Sequence, residues 1–219
     1  MKTLNIVLLG PPCVGKGTYA GILSKKYSIP HISTGQIFRD EIKKQSELGK
    51  KVESFISKGD LVPDDITIEV VKVRLKEGDC KKGFLLDGFP RTIPQAEALE
   101  KITKIDKVLN FVASEKTITE RLSWRRTCSK CGAIYHLKNI PPKVDGICDK
   151  CGGKLYQRSD ETPKAIKVRM KEYDKKTKPL IDFYKKKKLL TNIDANYPYE
   201  QVDKIISQCD SEIERISER

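Results

Sequence analysis

The segment Leu4-Asn5-Ile6-Val7-Leu8-Leu9 runs directly into Gly10-Pro11-Pro12-Cys13-Val14-Gly15-Lys16-Gly17-Thr18. The first six residues are apolar except for Asn5 and rich in β-forming side chains, which predicts a strand buried on both faces, as in a parallel sheet. Residues 15–27 then carry apolar side chains at helical spacing. The glycine-rich segment therefore joins a buried strand to a helix.

This glycine-rich segment has the spacing G-x-x-x-x-G-K of a phosphate-binding loop. In such a loop, successive backbone N–H groups and the helix N-terminus surround a phosphate, and here Lys16 would supply a compact positive charge. Gly17 follows the lysine, and the hydroxyl comes one residue later, at Thr18. A glycine-rich turn without a ligand is the plain alternative, but a lysine at this spacing after a strand favours a nucleotide site.

Strand and helix patterns alternate along the rest of the chain. Further strands are predicted at residues 30–33, 84–86, 107–112 and 189–193. Helices are predicted at about 35–44, 46–57, 64–77, 93–102 and 115–126, and an amphipathic helix ends the chain. Such alternation implies βαβ units with right-handed crossovers. The predicted fold class is therefore α/β, a parallel five-stranded sheet of the P-loop NTPase type flanked by helices.

Length and charge narrow the function classes. The 219 residues fit one globular domain or one domain with a sizeable insertion. The net charge of +13 favours anionic partners, either nucleic acid or phosphorylated small molecules. No apolar stretch approaches the roughly 20 residues that span a bilayer, and the N-terminus lacks a signal-peptide pattern. We therefore expect a soluble, cytoplasmic protein without a membrane partner.

Four of the seven cysteines form two Cys-x2-Cys pairs, Cys128 with Cys131 and Cys148 with Cys151. Between about 127 and 159, cysteine, glycine and proline dominate and apolar periodicity disappears, which predicts a small inserted domain. Four thiolates suit a closed, structural Zn²⁺ site, which would supply folding free energy to an insert too small for its own core. Two disulfides or four unrelated buried cysteines are the alternatives, and iron fits the same ligands.

Two further motifs follow predicted strands. Ser33-Thr34-Gly35 follows the second strand, and Asp87-Gly88-Phe89-Pro90-Arg91 closes the third. Ligands of open parallel sheets bind beyond the carboxyl ends of the strands. These motifs and the phosphate loop can therefore meet in one cleft.

With these motifs the sequence resembles the adenylate kinases, the long-lid form of the nucleoside monophosphate kinases. The resemblance also rests on Arg125-Arg126 and the cysteine pairs. It implies reversible phosphoryl transfer from MgATP to AMP giving two ADP, a role in adenine nucleotide homeostasis, and a monomer with structural Zn²⁺. It also implies a core of residues 1–32, 63–123 and 162–219, an AMP-binding segment of 33–62 and a lid of 124–161. Cys13 and Ala195 stand where the family usually has glycine.

The resemblance also implies residue roles. The implied catalytic residues are Lys16, Asp87, Arg91, Arg125, Arg158 and Arg169. The implied ATP site comprises Cys13, Val14, Gly15, Lys16, Gly17, Thr18, Arg121, Arg125, Ile134, Tyr135 and Tyr197. The implied AMP site comprises Thr34, Arg39, Asp60, Leu61, Val62, Gly88, Phe89, Pro90, Arg91, Gln95, Arg158 and Arg169.

Within these sets, Asp87 would orient the hydration shell of Mg²⁺, Arg121 would stack on the donor base and Gln95 would read the adenine edge. Arginines are chemically apt because phosphoryl transfer depends on positioning and charge neutralisation, and a planar guanidinium binds phosphate oxygens in pairs.

Two other functions compete with this prediction. A zinc-ribbon protein that binds nucleic acid would use the net charge and the basic run at residues 185–188, but Tyr135 and Tyr156 are the only aromatic residues of Phe, Tyr or Trp type between 127 and 159. We therefore expect no nucleic-acid partner. A kinase for another monophosphate is the closer rival. Its pyrimidine-preferring relatives typically carry asparagine at the position of Gln95 and a short lid, so Gln95, Thr34 and the long insert favour AMP.

Overall fold

A parallel five-stranded sheet organises the computed structural model, which describes residues 3–158 and 161–217. The strands within these ranges are β1 (Leu4–Leu9), β2 (His31–Ser33), β3 (Gly83–Asp87), β4 (Lys107–Val112), β5 (Arg125–Cys128), β6 (Ile134–His136), β7 (Leu155–Tyr156) and β8 (Leu190–Asp194). The large sheet has the order β2-β3-β1-β4-β8, and all neighbouring strands are parallel. The predicted α/β class and five-stranded sheet are confirmed.

Helices cover both faces of this sheet. They are α1 (Lys16–Tyr27), α2 (Thr34–Lys43), α3 (Glu47–Lys58), α4 (Asp64–Arg74), α5 (Ile93–Ile102), α6 (Glu115–Ser123), α7 (Pro163–Glu172), α8 (Pro179–Lys186) and α9 (Val202–Ser217). None of the helices in the described ranges is long and apolar enough to cross a membrane.

The central strand β1 explains the uninterrupted apolar run. Successive side chains of a strand point to opposite faces, so Ile6 and Leu8 join one apolar cluster while Val7 and Leu9 join the other. All four are at most 3% exposed. This burial holds the end of β1, and with it the phosphate loop, in a fixed position.

Helices α2 and α3 form a compact pair beside the sheet, with their own small cluster of Phe38, Val52 and Val62. The pair packs closely because of Gly49, where a Cβ atom would lie 2.2 Å from the carbonyl oxygen of Glu41. This pair lies within the segment predicted to bind the acceptor.

The cysteine-rich insert forms a separate three-stranded antiparallel sheet with the order β6-β5-β7. The helix predicted at about 115–126 is wrong in its last residues, because α6 ends at Ser123. Arg125 and Arg126 belong to strand β5 instead, where they pair with His136 and Tyr135 of β6. Of the other predicted bounds, the largest shift is in the helix that starts at residue 64, which ends at 74 rather than 77. The last strand is Leu190–Asp194, and several further bounds shift by one residue.

Candidate active site

The phosphate loop joins β1 to α1 in a conformation that requires glycine. Gly15 has a φ of 111°, and a Cβ atom there would meet the Tyr19 ring at 2.7 Å. Cys13, at the position where glycine was expected, has a φ of 63°, an unusual left-handed conformation for a residue with a side chain. The Lys16 ammonium donates to the carbonyl oxygens of Gly10 at 2.7 Å and Pro11 at 2.9 Å, so its charge lies inside the loop.

Lys16 and Asp87 face each other across the ends of β1 and β3. Burial lowers the pKa of Lys16 to about 8, an effect that Asp87 opposes and Arg91 strengthens. Burial alone would raise the pKa of Asp87, but His31, whose Nε2 lies 3.5 Å from Oδ2, and the charge of Lys16 hold it below its ordinary value. A Cβ atom on Gly17 would lie 4.0 Å from the Asp87 carboxylate, so this acid borders the loop.

The lowered pKa of Lys16 predicts proton uptake when nucleotide phosphates bind, because their negative charge favours the ammonium form. At pH 8, Lys16 should take up about 0.5 proton per chain when a non-hydrolysable ATP analogue binds, since a group with a pKa near 8 is half protonated there before binding. Titration calorimetry in buffers of different ionisation enthalpy measures this uptake. The uptake should vanish at pH 6, and a zero slope at pH 8 would contradict the prediction.

Two residues predicted to bind AMP, Thr34 and Arg91, meet at Gly88, directly after β3. The Gly88 carbonyl accepts from Thr34 Oγ1 at 3.0 Å and from Arg91 Nε at 2.9 Å. Gly88 has a φ of 81°, and a Cβ atom would lie 2.9 Å from Thr34 Oγ1 and 3.0 Å from Arg91 Nη2. Glycine is therefore needed for these two side chains to approach the same point.

A small pocket opens beside this point. Its lining includes Thr34, Asp60, Leu61, Val62, Gly88, Arg91 and Gln95, all predicted for the AMP site. Arg39, Pro90, Arg158 and Arg169 line the adjoining larger cleft. Phe89 is 0% exposed and belongs to the apolar core, so its side chain does not face either space. The structure thus brings most of the predicted acceptor residues together.

The larger cleft runs from the phosphate loop to the insert and has a volume of about 1230 Å³. Sites for one small molecule usually occupy roughly 300–1000 Å³, so this cleft has room for more than one nucleotide. All six predicted catalytic residues line it, as do Arg121, Ile134, Tyr135 and Tyr197 from the predicted ATP site. Val14 is 0% exposed, so only its backbone can contribute.

Arg121 connects three parts of the donor side. Its Nη1 donates to the carbonyl oxygen of Val14, and its Nη2 donates to those of Ala195 and Tyr197, both at 2.8 Å. Ala195 is fully buried, and its methyl group is accommodated where glycine was expected. The guanidinium therefore fixes the segment after β8 against the phosphate loop.

Glu161 is a buried acid that the sequence analysis missed. It is 1% exposed, and its Oε1 accepts from Nε of Arg125 at 2.7 Å and also from Nη2 of that residue. Nε of Arg158 lies 3.4 Å from the same oxygen. One carboxylate thus holds two of the predicted catalytic arginines side by side. Its sequence position, three residues after Arg158, is the only signal that could have suggested it.

The four lid cysteines form one cluster, with all Sγ atoms within 4.8 Å of one another. All seven cysteines lie in the described residues and none forms a disulfide, which excludes the disulfide alternative for this structure. The hydroxyl of Tyr135 donates to Cys148 Sγ at 3.4 Å, and this bond lowers the pKa of Cys148 to about 6. The pKa of Cys128 is lowered as well, by backbone N–H groups, and four sulfur atoms this close together fit a tetrahedral zinc site.

Removal of zinc should melt the lid and leave the sheet folded. The single tryptophan, Trp124, reports on this because it precedes β5, its carbonyl accepts from Leu137, and Lys138 lies 4.4 Å from the centre of its ring. We expect chelation to change Trp124 fluorescence, to lower turnover, and to lower the melting temperature by about 10 °C or more, since structural zinc contributes several kcal/mol.

Restoring the signal by adding zinc back is the control for this experiment. A zinc-free preparation with unchanged turnover and unchanged thermal unfolding would contradict a structural role for the cluster.

The insert lies directly over the phosphate loop and against α2. A Cβ atom on Gly17 would lie 3.4 Å from Cδ1 of Ile134, and Lys43 Nζ donates to the carbonyl oxygen of Ser129 at 2.9 Å. The cleft is therefore covered from the donor side by the sheet of the cysteine-rich insert. A phosphate loop at the carboxyl edge of a parallel sheet, facing a covered and arginine-rich cleft, is the arrangement of a P-loop enzyme that acts on phosphorylated nucleotides.

Comparison with known proteins gives the family. The model of the adenylate kinase family matches residues 8–189. Adenylate kinase of Clostridium tetani is 52% identical over 209 residues, covering 93% of this chain and 97% of the relative. The enzyme named adenylate kinase in Archaeoglobus fulgidus is 50% identical over 208 residues (93% and 96%), and that of Treponema denticola is 54% identical over 199 residues (91% and 95%). This chain belongs to the adenylate kinase family and is a nucleoside monophosphate kinase.

Proposed function

We propose that the chain transfers the γ-phosphoryl group of MgATP to AMP, reversibly, giving two ADP. The observation that carries this proposal is that the donor loop and the acceptor pocket open onto one cleft, with Lys16, Asp87 and Arg91 between them. Asp87 raises and Arg91 lowers the pKa of Lys16, which supports the action of all three side chains on one phosphoryl group.

In this proposal the donor phosphates lie in the loop from Cys13 to Thr18, where backbone N–H groups and Lys16 bind their oxygens. Magnesium would neutralise phosphate charge when bound with ATP. The carboxylate of Asp87 is ionised at neutral pH because its pKa is held low, so it can hold the metal's water ligands beside the loop. Arg121, already held by three carbonyl oxygens, borders the donor base.

Catalysis then requires little beyond positioning. The attacking phosphate of AMP is an anion, so no general base is needed. Arg91, Arg125 and Arg169, together with Arg158, surround the cleft and can neutralise the charge that spreads over the transferring group. The lid, proposed as residues 124–161, would exclude water from the loop and suppress hydrolysis of ATP.

The acceptor base is proposed to lie in the large cleft beside Leu61, with Val62 and Gln95 of the adjoining small pocket at its edge. Gln95→Asn should lower the discrimination for AMP over CMP by about tenfold, because the shorter amide withdraws from the adenine edge and loses the hydrogen bonds that favour AMP. Values of kcat/KM for both acceptors measure this effect. Unchanged selectivity in a folded variant would refute the role of Gln95.

The test of the function is phosphoryl transfer from MgATP to AMP, GMP, CMP and UMP in parallel, following formation of each diphosphate. We expect rapid ADP production with AMP and much slower reaction with the others. Preference for another acceptor would keep the mechanism but overturn the assignment of the pocket. Absence of transfer with all four, in zinc-loaded protein, would favour the nucleic-acid alternative, which salt-dependent binding to a labelled oligonucleotide would then test.

A further inference from the structure

Asp64, in the first turn of α4, makes two hydrogen bonds at the wall of the acceptor pocket. Its Oδ1 accepts from Nε2 of Gln95 at 2.7 Å, and its Oδ2 accepts from Oγ1 of Thr92 at 2.8 Å. Gln95 is only 2% exposed, so its amide depends on protein partners. Neither the motifs nor the assigned site residues include Asp64.

The other end of the Gln95 amide is also held. Its Oε1 accepts from the backbone N–H of Arg91 at 2.7 Å. A backbone N–H can only donate and a carboxylate can only accept, so these two partners together allow one of the two amide orientations. In that orientation one N–H of Nε2 and one lone pair of Oε1 remain for a ligand.

We infer that Asp64 is a positioning residue that makes the acceptor site select a 6-aminopurine over a 6-oxopurine. The inference rests on the proposed function, since it concerns the base of the acceptor monophosphate. The Watson–Crick edge of adenine carries the N1 acceptor beside the N6 amino donor. The free N–H and the free lone pair of Gln95 complement this pair of groups.

The edge of guanine or hypoxanthine has the opposite pattern, with N1–H as donor and O6 as acceptor. Complementing it would require the reversed amide of Gln95. The reversed amide would place Oε1 against the Asp64 carboxylate and Nε2 against the N–H of Arg91. The first contact would oppose two acceptors and the second would oppose two donors. The exclusion of 6-oxopurines therefore depends on Asp64 and the N–H of Arg91, which hold Gln95, and not on Gln95 alone.

The decisive variant is Asp64→Asn, which keeps the size of the side chain and can itself present either a donor or an acceptor. Reversal of Gln95 then costs one unfavourable contact, with the N–H of Arg91, instead of two, and the ratio of kcat/KM for AMP to that for IMP or GMP should fall about tenfold. Asp65→Asn is the matched control, because Asp65 lies in the same first turn of α4 and is exposed, so it shares the helix-dipole contribution without facing the pocket. Its ratio should not change.

The wild-type ratio tests the proposed function, and the variant ratio tests this inference. If the wild type prefers AMP and folded Asp64→Asn lowers all acceptors equally with an unchanged ratio, Asp64 is only structural and the inference fails. If Asp64→Asn does not fold, Asp64→Ser provides the same test, because a hydroxyl also can donate or accept and should relax the ratio. Retention of full selectivity in the folded serine variant would overturn the inference.

Discussion

Replacement of Lys16 by methionine should lower kcat for ADP formation by about 100- to 1000-fold, the usual effect of removing one preorganised donor to transition-state charge. Lys16 holds its ammonium inside the phosphate loop through the carbonyl oxygens of Gly10 and Pro11. Arginine side chains elsewhere in the cleft cannot occupy that position. Methionine retains the length of the stem, so the loss should come from charge and not from packing.

The variant should remain folded, because the loss of the two hydrogen bonds is offset by no longer burying an ammonium group whose pKa is lowered by that burial. Thermal unfolding measures this directly. Lys101→Met, on the exposed surface near the end of α5, is the matched control and should retain full activity. A Lys16→Met enzyme with more than about a tenth of wild-type kcat would contradict the assigned role.

The sheet was predictable because its strands are buried on both faces. A run such as Ile6 to Leu9 has no polar alternation, and the glycines that follow mark where the chain turns. The phosphate loop and the cysteine cluster were equally predictable from the sequence, since each depends on residues that lie close together in the chain. Local spacing is then sufficient to indicate the geometry.

The lid strands were not predictable in the same way. Arg125–Cys128 is a strand because it pairs with Ile134–His136 and Leu155–Tyr156, and its own residues, RRTC, show no apolar alternation. The helix pattern of residues 115–123 was therefore extended over it. Helices α7 and α8 begin with Pro163 and Pro179 at the first helical position, a signal that was present but is weak within a lysine-rich sequence.

Two residues of the site escaped sequence reasoning for a different reason. Asp64 lies beside another acid, Asp65, and nothing in the sequence says which of the two turns inward. Glu161 lies in a polar stretch of the sequence where no apolar pattern marks it as buried. Their partners are Gln95, 31 positions away, and Arg125, 36 positions away. Only the tertiary structure brings such pairs together, so positioning residues are harder to predict than the groups they position.

Glu161 provides the second large effect. Its carboxylate is buried between Arg125 and Arg158, whose side chains are 16% and 11% exposed. Glu161→Gln should lower kcat by about 10- to 100-fold, because two guanidinium groups without a shared anion repel each other and lose their common orientation toward the phosphoryl group. Breaking a buried ion pair should also lower the free energy of unfolding by about 3 kcal/mol.

The effects of Glu161→Gln on kcat and on the free energy of unfolding can be measured separately. Urea unfolding measures stability, and steady-state kinetics measures kcat and the KM for AMP, which should change less than kcat if the arginines act mainly on the transition state. Glu100→Gln is the control, because it removes an ion pair in which the side chains of Glu100 and Lys187 are 35% and 40% exposed. This variant should lower the free energy of unfolding by at most about 1 kcal/mol and leave kcat unchanged. A folded Glu161→Gln enzyme with wild-type kcat would show that Arg125 and Arg158 find their positions without this carboxylate.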